Sequence, residues 1–276
     1  MGKHFYWPSG DSAYTIPKKN GKGEKCPNIT DARELGLLPS VTTIIGDVKR
    51  KQAMENWRLW KYGNSAYSNA DRAATLDFNR WHSRNKDEAF ASVGEAADLG
   101  TQIHLIVESV INNEEIPDVE MEVSPDLMVG FSEVWNELGL SVLDTEYSFA
   151  HPLGYGGRGD LVALANDGYD LVFVDWKTRD TKPGKTIDFY GELPVQLIAY
   201  AHGWHKNMHK TLNAFETRLI SVVISRTEHG RVEYKEWPQS QFPHYWSSFL
   251  GLFHNWCLDN NYWPGGKFTL EPRMEE

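Results

Sequence analysis

The stretch Gly157-Arg158-Gly159-Asp160-Leu161-Val162-Ala163-Leu164-Ala165-Asn166-Asp167-Gly168-Tyr169-Asp170-Leu171-Val172-Phe173-Val174-Asp175-Trp176-Lys177-Thr178 decides the fold. At its centre, Asn166-Asp167-Gly168 has the residues of a tight hairpin turn, because Asn, Asp and Gly accept the left-handed backbone that such turns need. The flanks are apolar runs rich in β-branched and aromatic residues, so the sequence predicts paired strands over 158–165 and 170–177. Side chains alternate across a strand. Asp160, Val162 and Leu164 therefore share one face of the first strand, and Phe173, Asp175 and Lys177 share one face of the second. Two carboxylates and an ammonium at the ends of apolar strands are costly to bury without compensation. A divalent cation is the natural compensator, and carboxylates suit Mg²⁺, which keeps water and phosphate oxygens in its other positions. Lys177 is placed to orient or deprotonate a metal-activated water, or to stabilise charge on a phosphate.

Outward from this hairpin, Val142–Phe149 alternates, with Leu143, Tyr147 and Phe149 on one face and Asp144 and Glu146 on the other. A glycine corner (Gly154, Gly156, Gly157) joins it to the hairpin. Further strands are predicted over 215–225 and 231–237. Helices are predicted over 41–61, 87–112, 127–138, 193–210 and 243–258, from apolar residues at helical spacing. Ser40 is a helix-start signal, and Gly139 is a stop signal. The first 40 residues read as irregular, with an exposed basic turn at Lys18–Gly23. The sum is an α/β fold, a mixed central sheet flanked by helices, in one domain over residues 1–276. Within it, 1–40 is an extension, 41–140 is mainly helical, 141–237 holds the catalytic sheet, and 238–276 is a C-terminal helix and tail.

Gly157-x-x-Asp160, then Asp175-x-Lys177, then Gln196-x-x-x-Tyr200 resembles the PD-(D/E)XK nuclease superfamily. It is most similar to the RecB-like branch of phage and mitochondrial-genome-maintenance exonucleases. Upstream, Gly100-Thr101-Gln102-Ile103-His104 with Glu108 resembles that branch's helical histidine motif, and Pro39-Ser40-Val41-Thr42-Thr43-Ile44 resembles the start of such enzymes. The resemblance covers about Leu38 to Tyr200; each motif alone is weak, and four in the right order are strong. It implies a restriction-endonuclease-like core and Mg²⁺ or Mn²⁺ held by His104, Asp160, Asp175 and the backbone carbonyl of Trp176. It makes Lys177 the catalytic lysine, with Gln196 and Tyr200, one helical turn apart, reaching the substrate backbone or Lys177. Glu108 shares a helical face with His104 and joins the catalytic set. Glu146 is a candidate carboxylate for steadying a metal ligand or for holding a second metal. The implied activity is exonucleolytic hydrolysis of DNA at ends or in single strands, with a helicase or recombination partner as a separate chain. The alternatives are a structure-specific endonuclease of the same fold and a DNA-end-binding recombination protein that does not cut.

Other patterns carry less. Pro183-Gly184-Lys185-Thr186 ends like a phosphate-binding loop, but Arg179 stands where the first glycine is required. His202, His205 and His209 lie near helical spacing without a cysteine or carboxylate partner nearby. Two cysteines, Cys26 and Cys257, cannot form a four-cysteine iron–sulfur site and suit a reducing cytoplasm, the host's if the chain is viral. No apolar run approaches the roughly 20 residues of a membrane span. The net charge of −10 argues against nucleic acid at first sight. Yet residues 108–137 hold nine acidic side chains and no Lys or Arg, so nearly all the excess is local. Two segments are basic: Lys49, Arg50, Lys51, Arg58 and Lys61 with Trp57 and Trp60, and Lys177, Arg179, Lys182 and Lys185. With Arg158, these are the candidate nucleic-acid contacts.

Overall fold

The computed structural model describes residues 3–49, 52–115, 125–166, 168, 170–207 and 213–267. Arg50, Lys51, the turn residue Asp167, and His209 with the last residues of the predicted 193–210 helix lie outside them. Internal contacts divide the chain into two compact units, residues 1–49 with 124–276, and residues 50–123.

The larger unit opens with β1 (Phe5–Tyr6), β2 (Ile16–Pro17), β3 (Glu24–Lys25), α1 (Ile29–Leu35), β4 (Leu38–Pro39) and α2 (Val41–Val48). These first 40 residues are ordered by pairing rather than irregular: β1 pairs with β4 and β2 with β3, both antiparallel. Pairings two residues long leave no periodicity to read. Asn28 caps α1, its Oδ1 accepting from the N–H groups of Thr30 at 2.9 Å and Asp31 at 3.1 Å, while Asp31 Oδ2 accepts from the N–H of Asn28 at 3.0 Å. Ser40 caps α2, its Oγ accepting from the N–H of Thr43 at 2.9 Å. A parallel bridge from Ser40 to Gly156 ties this segment to the main sheet.

The smaller unit holds α3 (Gln52–Ser68), α4 (Ala70–Ala73) and α5 (Phe78–Asn112). The helix predicted over 41–61 is thus two, α2 and α3. α5 starts at Phe78 rather than near Asp87, because Asp77 caps it and its first turns are polar and exposed, with no apolar stripe to follow. Polar contacts join α3 to α5, among them Ser65 Oγ donating to Asn85 Oδ1 at 2.9 Å.

The larger unit resumes with α6 (Pro125–Leu138), β5 (Leu140–His151), β6 (Tyr155–Ala165), β7 (Leu171–Arg179), α7 (Leu193–Asn207), β8 (Arg218–Ser225), β9 (Val232–Glu236) and α8 (Phe242–Asn260). The five strands form one mixed sheet in the order β5-β6-β7-β8-β9. β7 and β8 are parallel and the other neighbours antiparallel. Two parallel strands need a crossover, and α7 supplies it. Leu171, Val172, Phe173 and Val174 are all buried, as befits a central strand covered on both faces. α7 covers one face, where Trp204 meets Phe173 edge-on at 5.8 Å. α6 covers the other, where Phe131 meets Trp176 edge-on at 6.1 Å. α8 adds Phe249 and Phe253 against Tyr155, and buries Cys257 completely. No helix among the described residues is long and apolar enough to cross a membrane.

One face assignment fails. Leu143 does not join Tyr147 and Phe149 in the core; it is 46 % exposed, because the β5–β6 register shifts between Val142 and Asp144. The extra residue of the bulge turns outward and resets the alternation.

Candidate active site

The hairpin register fixes the site. Leu161 pairs with Val174 and Val162 with Phe173, so continuing the register sets Asp160 against Asp175 on the α7 face. Ladder pairing stops at Leu161, and there the Asp160 carboxylate substitutes for the partner strand: its Oδ2 accepts from the N–H of Trp176 at 2.8 Å. Trp176 sends its ring to the opposite face, where it is 2 % exposed.

Asp175 is 1 % exposed. Its Oδ1 accepts from Lys177 Nζ at 2.7 Å and from Gln196 Nε2 at 2.8 Å. The Lys177 ammonium is also 2.7 Å from Oδ2, so it spans both oxygens of the carboxylate. Gln196 Nε2 donates as well to the Tyr200 hydroxyl at 3.0 Å. Gln196 and Tyr200 are one turn apart on α7; Gln196 reaches the Asp175 carboxylate, and the Tyr200 hydroxyl meets Gln196. α7 lies close enough because Phe149 fits against two glycines: a Cβ on Gly203 would come within 2.0 Å of its ring and one on Gly157 within 2.7 Å.

Electrostatics follow from this crowding. Burial, and then repulsion from Asp175, push the Asp160 carboxyl well above the ordinary range, and Lys177 and the Trp176 N–H oppose them only in part. Burial alone would lower the Lys177 pKa; the charges of Asp175 and Asp160 and the hydrogen bond to Asp175 more than reverse this and raise it. Lys177 is therefore an ammonium. Burial also raises the phenols of Tyr147 and Tyr200, with Asp160 and Asp175 adding to it, so both keep their protons.

Glu146 belongs to the same cluster. A carboxylate oxygen of Glu146 lies within 4.8 Å of one of Asp160. Its Oε2 is 2.5 Å from Arg158 Nε. Glu146 also has φ +49°, a left-handed backbone inside a strand, between the paired residues Thr145 and Tyr147. Such conformations are unfavourable for a side chain with a Cβ and collect at functional sites.

The acidic donor set suits a hard divalent cation: the buried Asp175 and the half-buried Asp160 carboxylates face one another, with Glu146 beside Asp160. His104 and Glu108 occupy α5 of the smaller unit, four residues apart on one face and both half-buried. Arg179 lies 4.1 Å over the Tyr190 ring, and Lys182 and Lys185 are exposed in the loop that follows β7. Trp57, Arg58 and Trp60 are exposed on α3, where Lys61 lies 5.4 Å over the Trp57 ring; Lys49 is exposed at the end of α2. The sequence reading missed Tyr6. It packs on Gly156, its hydroxyl shares a 2.9 Å hydrogen bond with that of Tyr14, and the charges of Arg158 and Glu146 act on it. Its separation in sequence hid it.

No family model matches this chain, and no curated protein matches it. Among solved structures, the crystal structure of SSO0001 is similar over 78 % of this chain and 95 % of that one, at 16 % identity and a TM-score of 0.27.

Proposed function

We propose that the chain is a Mg²⁺- or Mn²⁺-dependent deoxyribonuclease on a restriction-endonuclease-like core, an exonuclease acting at DNA ends or on single strands. The observation that carries this reading is Asp175. It is buried, held by Lys177 and Gln196, and set against Asp160 across the β6–β7 pair. Asp160, Asp175 and His104 would hold the cation, with the Trp176 carbonyl and Glu146 as further donors. Once bound, the ion would polarise the scissile phosphate and lower the pKa of a water.

The chain's own groups do the rest. Lys177, kept cationic by the two aspartates, offsets charge developing on the phosphate and orients the attacking water. Gln196 fixes the Asp175 carboxylate, and Tyr200 keeps its proton and fixes Gln196. Arg179, Lys182 and Lys185, with Lys49 and the α3 set, would follow the strand backbone. Glu108 would act from the His104 face of α5.

The test is digestion of end-labelled single and double strands with Mg²⁺. Lys177→Ala and Asp160→Ala should each lower cleavage by about a hundredfold or more in chains that still fold and still bind the oligonucleotide. Full activity in either variant sinks the assignment. A circular single strand in the same assay separates end-dependent from internal cutting.

A further inference from the structure

The N-terminal segment places an aromatic side chain beside the site that nothing in the nuclease pattern requires. Tyr6 is buried and Tyr14 is 36 % exposed. Their hydroxyls are joined at 2.9 Å, with the rings edge-on at 5.9 Å, and Tyr14 also packs on His4 at 4.9 Å. The Tyr14 side chain is thus held at both its hydroxyl end and its ring, yet the residue stays exposed. Tyr6 packs on Gly156, which is two residues before Arg158 and therefore on the same face of β6. Arg158 is anchored through Nε to Glu146 and stays 45 % exposed, so its guanidinium is oriented without being used up. A fixed aromatic ring and an oriented guanidinium suit two parts of one ligand, a base and a phosphate.

We propose that Tyr14 and Arg158 form a nucleotide subsite, Tyr14 stacking on a base and Arg158 taking the phosphate next to the one cleaved. Resting on the nuclease reading, this adds that the strand is gripped on the β1–β4 side by its base as well as its backbone. A single-stranded segment is the ligand class, since a base inside a duplex offers no free face to the ring.

The experiment uses the full chain and a short fluorescein-labelled single-stranded oligonucleotide, followed by anisotropy with Ca²⁺ and by cleavage with Mg²⁺. Tyr14→Ala should weaken binding roughly ten- to a hundredfold and raise KM to match with kcat retained, and Tyr14→Trp should restore both. Arg158→Lys, which keeps the charge and loses the fork, should weaken binding as well, and it reads the same subsite if Tyr14→Ala does not fold. If Tyr14→Ala and Arg158→Lys bind and cut like wild type while Lys177→Ala is inactive, the subsite is wrong and the nuclease reading stands. If wild type binds without metal-dependent cutting and Tyr14→Ala weakens that binding, the subsite stands and the nuclease reading falls. If wild type does not bind the strand at all, both fall.

Discussion

Glu146 pays for its position with backbone strain, and that makes it testable apart from any assay of activity. A left-handed conformation is unfavourable by roughly 1–2 kcal/mol for a residue with a Cβ, and glycine removes that penalty. The lost Arg158 pair is partly exposed and is worth about 0–1 kcal/mol at most. Glu146→Gly should therefore raise the thermal midpoint by about 2–4 °C while lowering cleavage, the usual sign of a residue kept for function. A fall of several degrees would show that the strained backbone is not what limits stability there. Asp31 makes the opposite case, a carboxylate placed by the cap of α1. Its hydrogen bond from Lys25, then that from the Asn28 N–H, hold its carboxyl below the ordinary range. A depressed carboxyl stabilises the fold above its unfolded pKa, near 3.9, and loses that contribution as pH falls through the lower folded value. Asp31→Ala should cost about 1 kcal/mol at neutral pH, from the broken capping box, and the gap to wild type should close on acidification below about pH 4. Denaturant midpoints across pH read this directly. The facing of Asp160 and Asp175 was legible in the sequence because strand alternation and a turn of known type fix it. Glu146's backbone and Tyr6's place on Gly156 were not, since one depends on a local dihedral and the other on a contact between distant segments.

Among the elements, α7 has the tightest seat. Phe149 lies between Gly157 and Gly203, and its ring is also in contact with Tyr147, Tyr155 and Tyr200, so it has nowhere to turn. A Cβ on Gly203 would come within 2.0 Å of that ring. Gly203→Ala should cost about 1–3 kcal/mol by overpacking and should lower kcat more than it raises KM, because lifting α7 moves Gln196 away from Asp175. Unchanged stability would mean that the helix shifts freely and does not set the site. The element boundaries show what a pattern carries and what it does not. α6 and α8 lie within one or two residues of their expected spans, since their apolar stripes run to the ends. α5 begins earlier than its stripe, and β5 breaks its alternation at Leu143, where a bulge overrides the period. In both, the capping or pairing partner decides, and it is read from geometry rather than from spacing.

Over the whole molecule, the proposed function requires a chain of net charge −10 to meet a polyanion. The imbalance is tolerable only if binding uses local cations, because the phosphate backbone responds to nearby charge within about a Debye length, roughly 8–10 Å in physiological salt. Under that proposal, the loop after β7 suits the role. Arg231 donates through Nη2 to the Lys185 carbonyl at 2.6 Å, and pairs with Glu228 and Glu233 through its other nitrogens. Arg226 pairs with Asp180 at 3.0 Å, and Thr181 N–H donates to Thr227 Oγ1 at 2.9 Å. These contacts hold the backbone of the loop and leave the Lys182 and Lys185 side chains exposed. Each phosphate contact contributes about 0.7–0.9 to the slope of log affinity against log salt. Lys182→Ala with Lys185→Ala should therefore lower that slope by about 1.4–1.8 and weaken binding evenly across oligonucleotide sequences, with Lys177-dependent chemistry intact at saturating substrate. Arg231→Ala keeps both lysines but frees their backbone, so it should weaken binding with the slope nearly unchanged. An unaltered slope in the double variant would take this loop off the strand's track and leave the α3 cations to carry the charge.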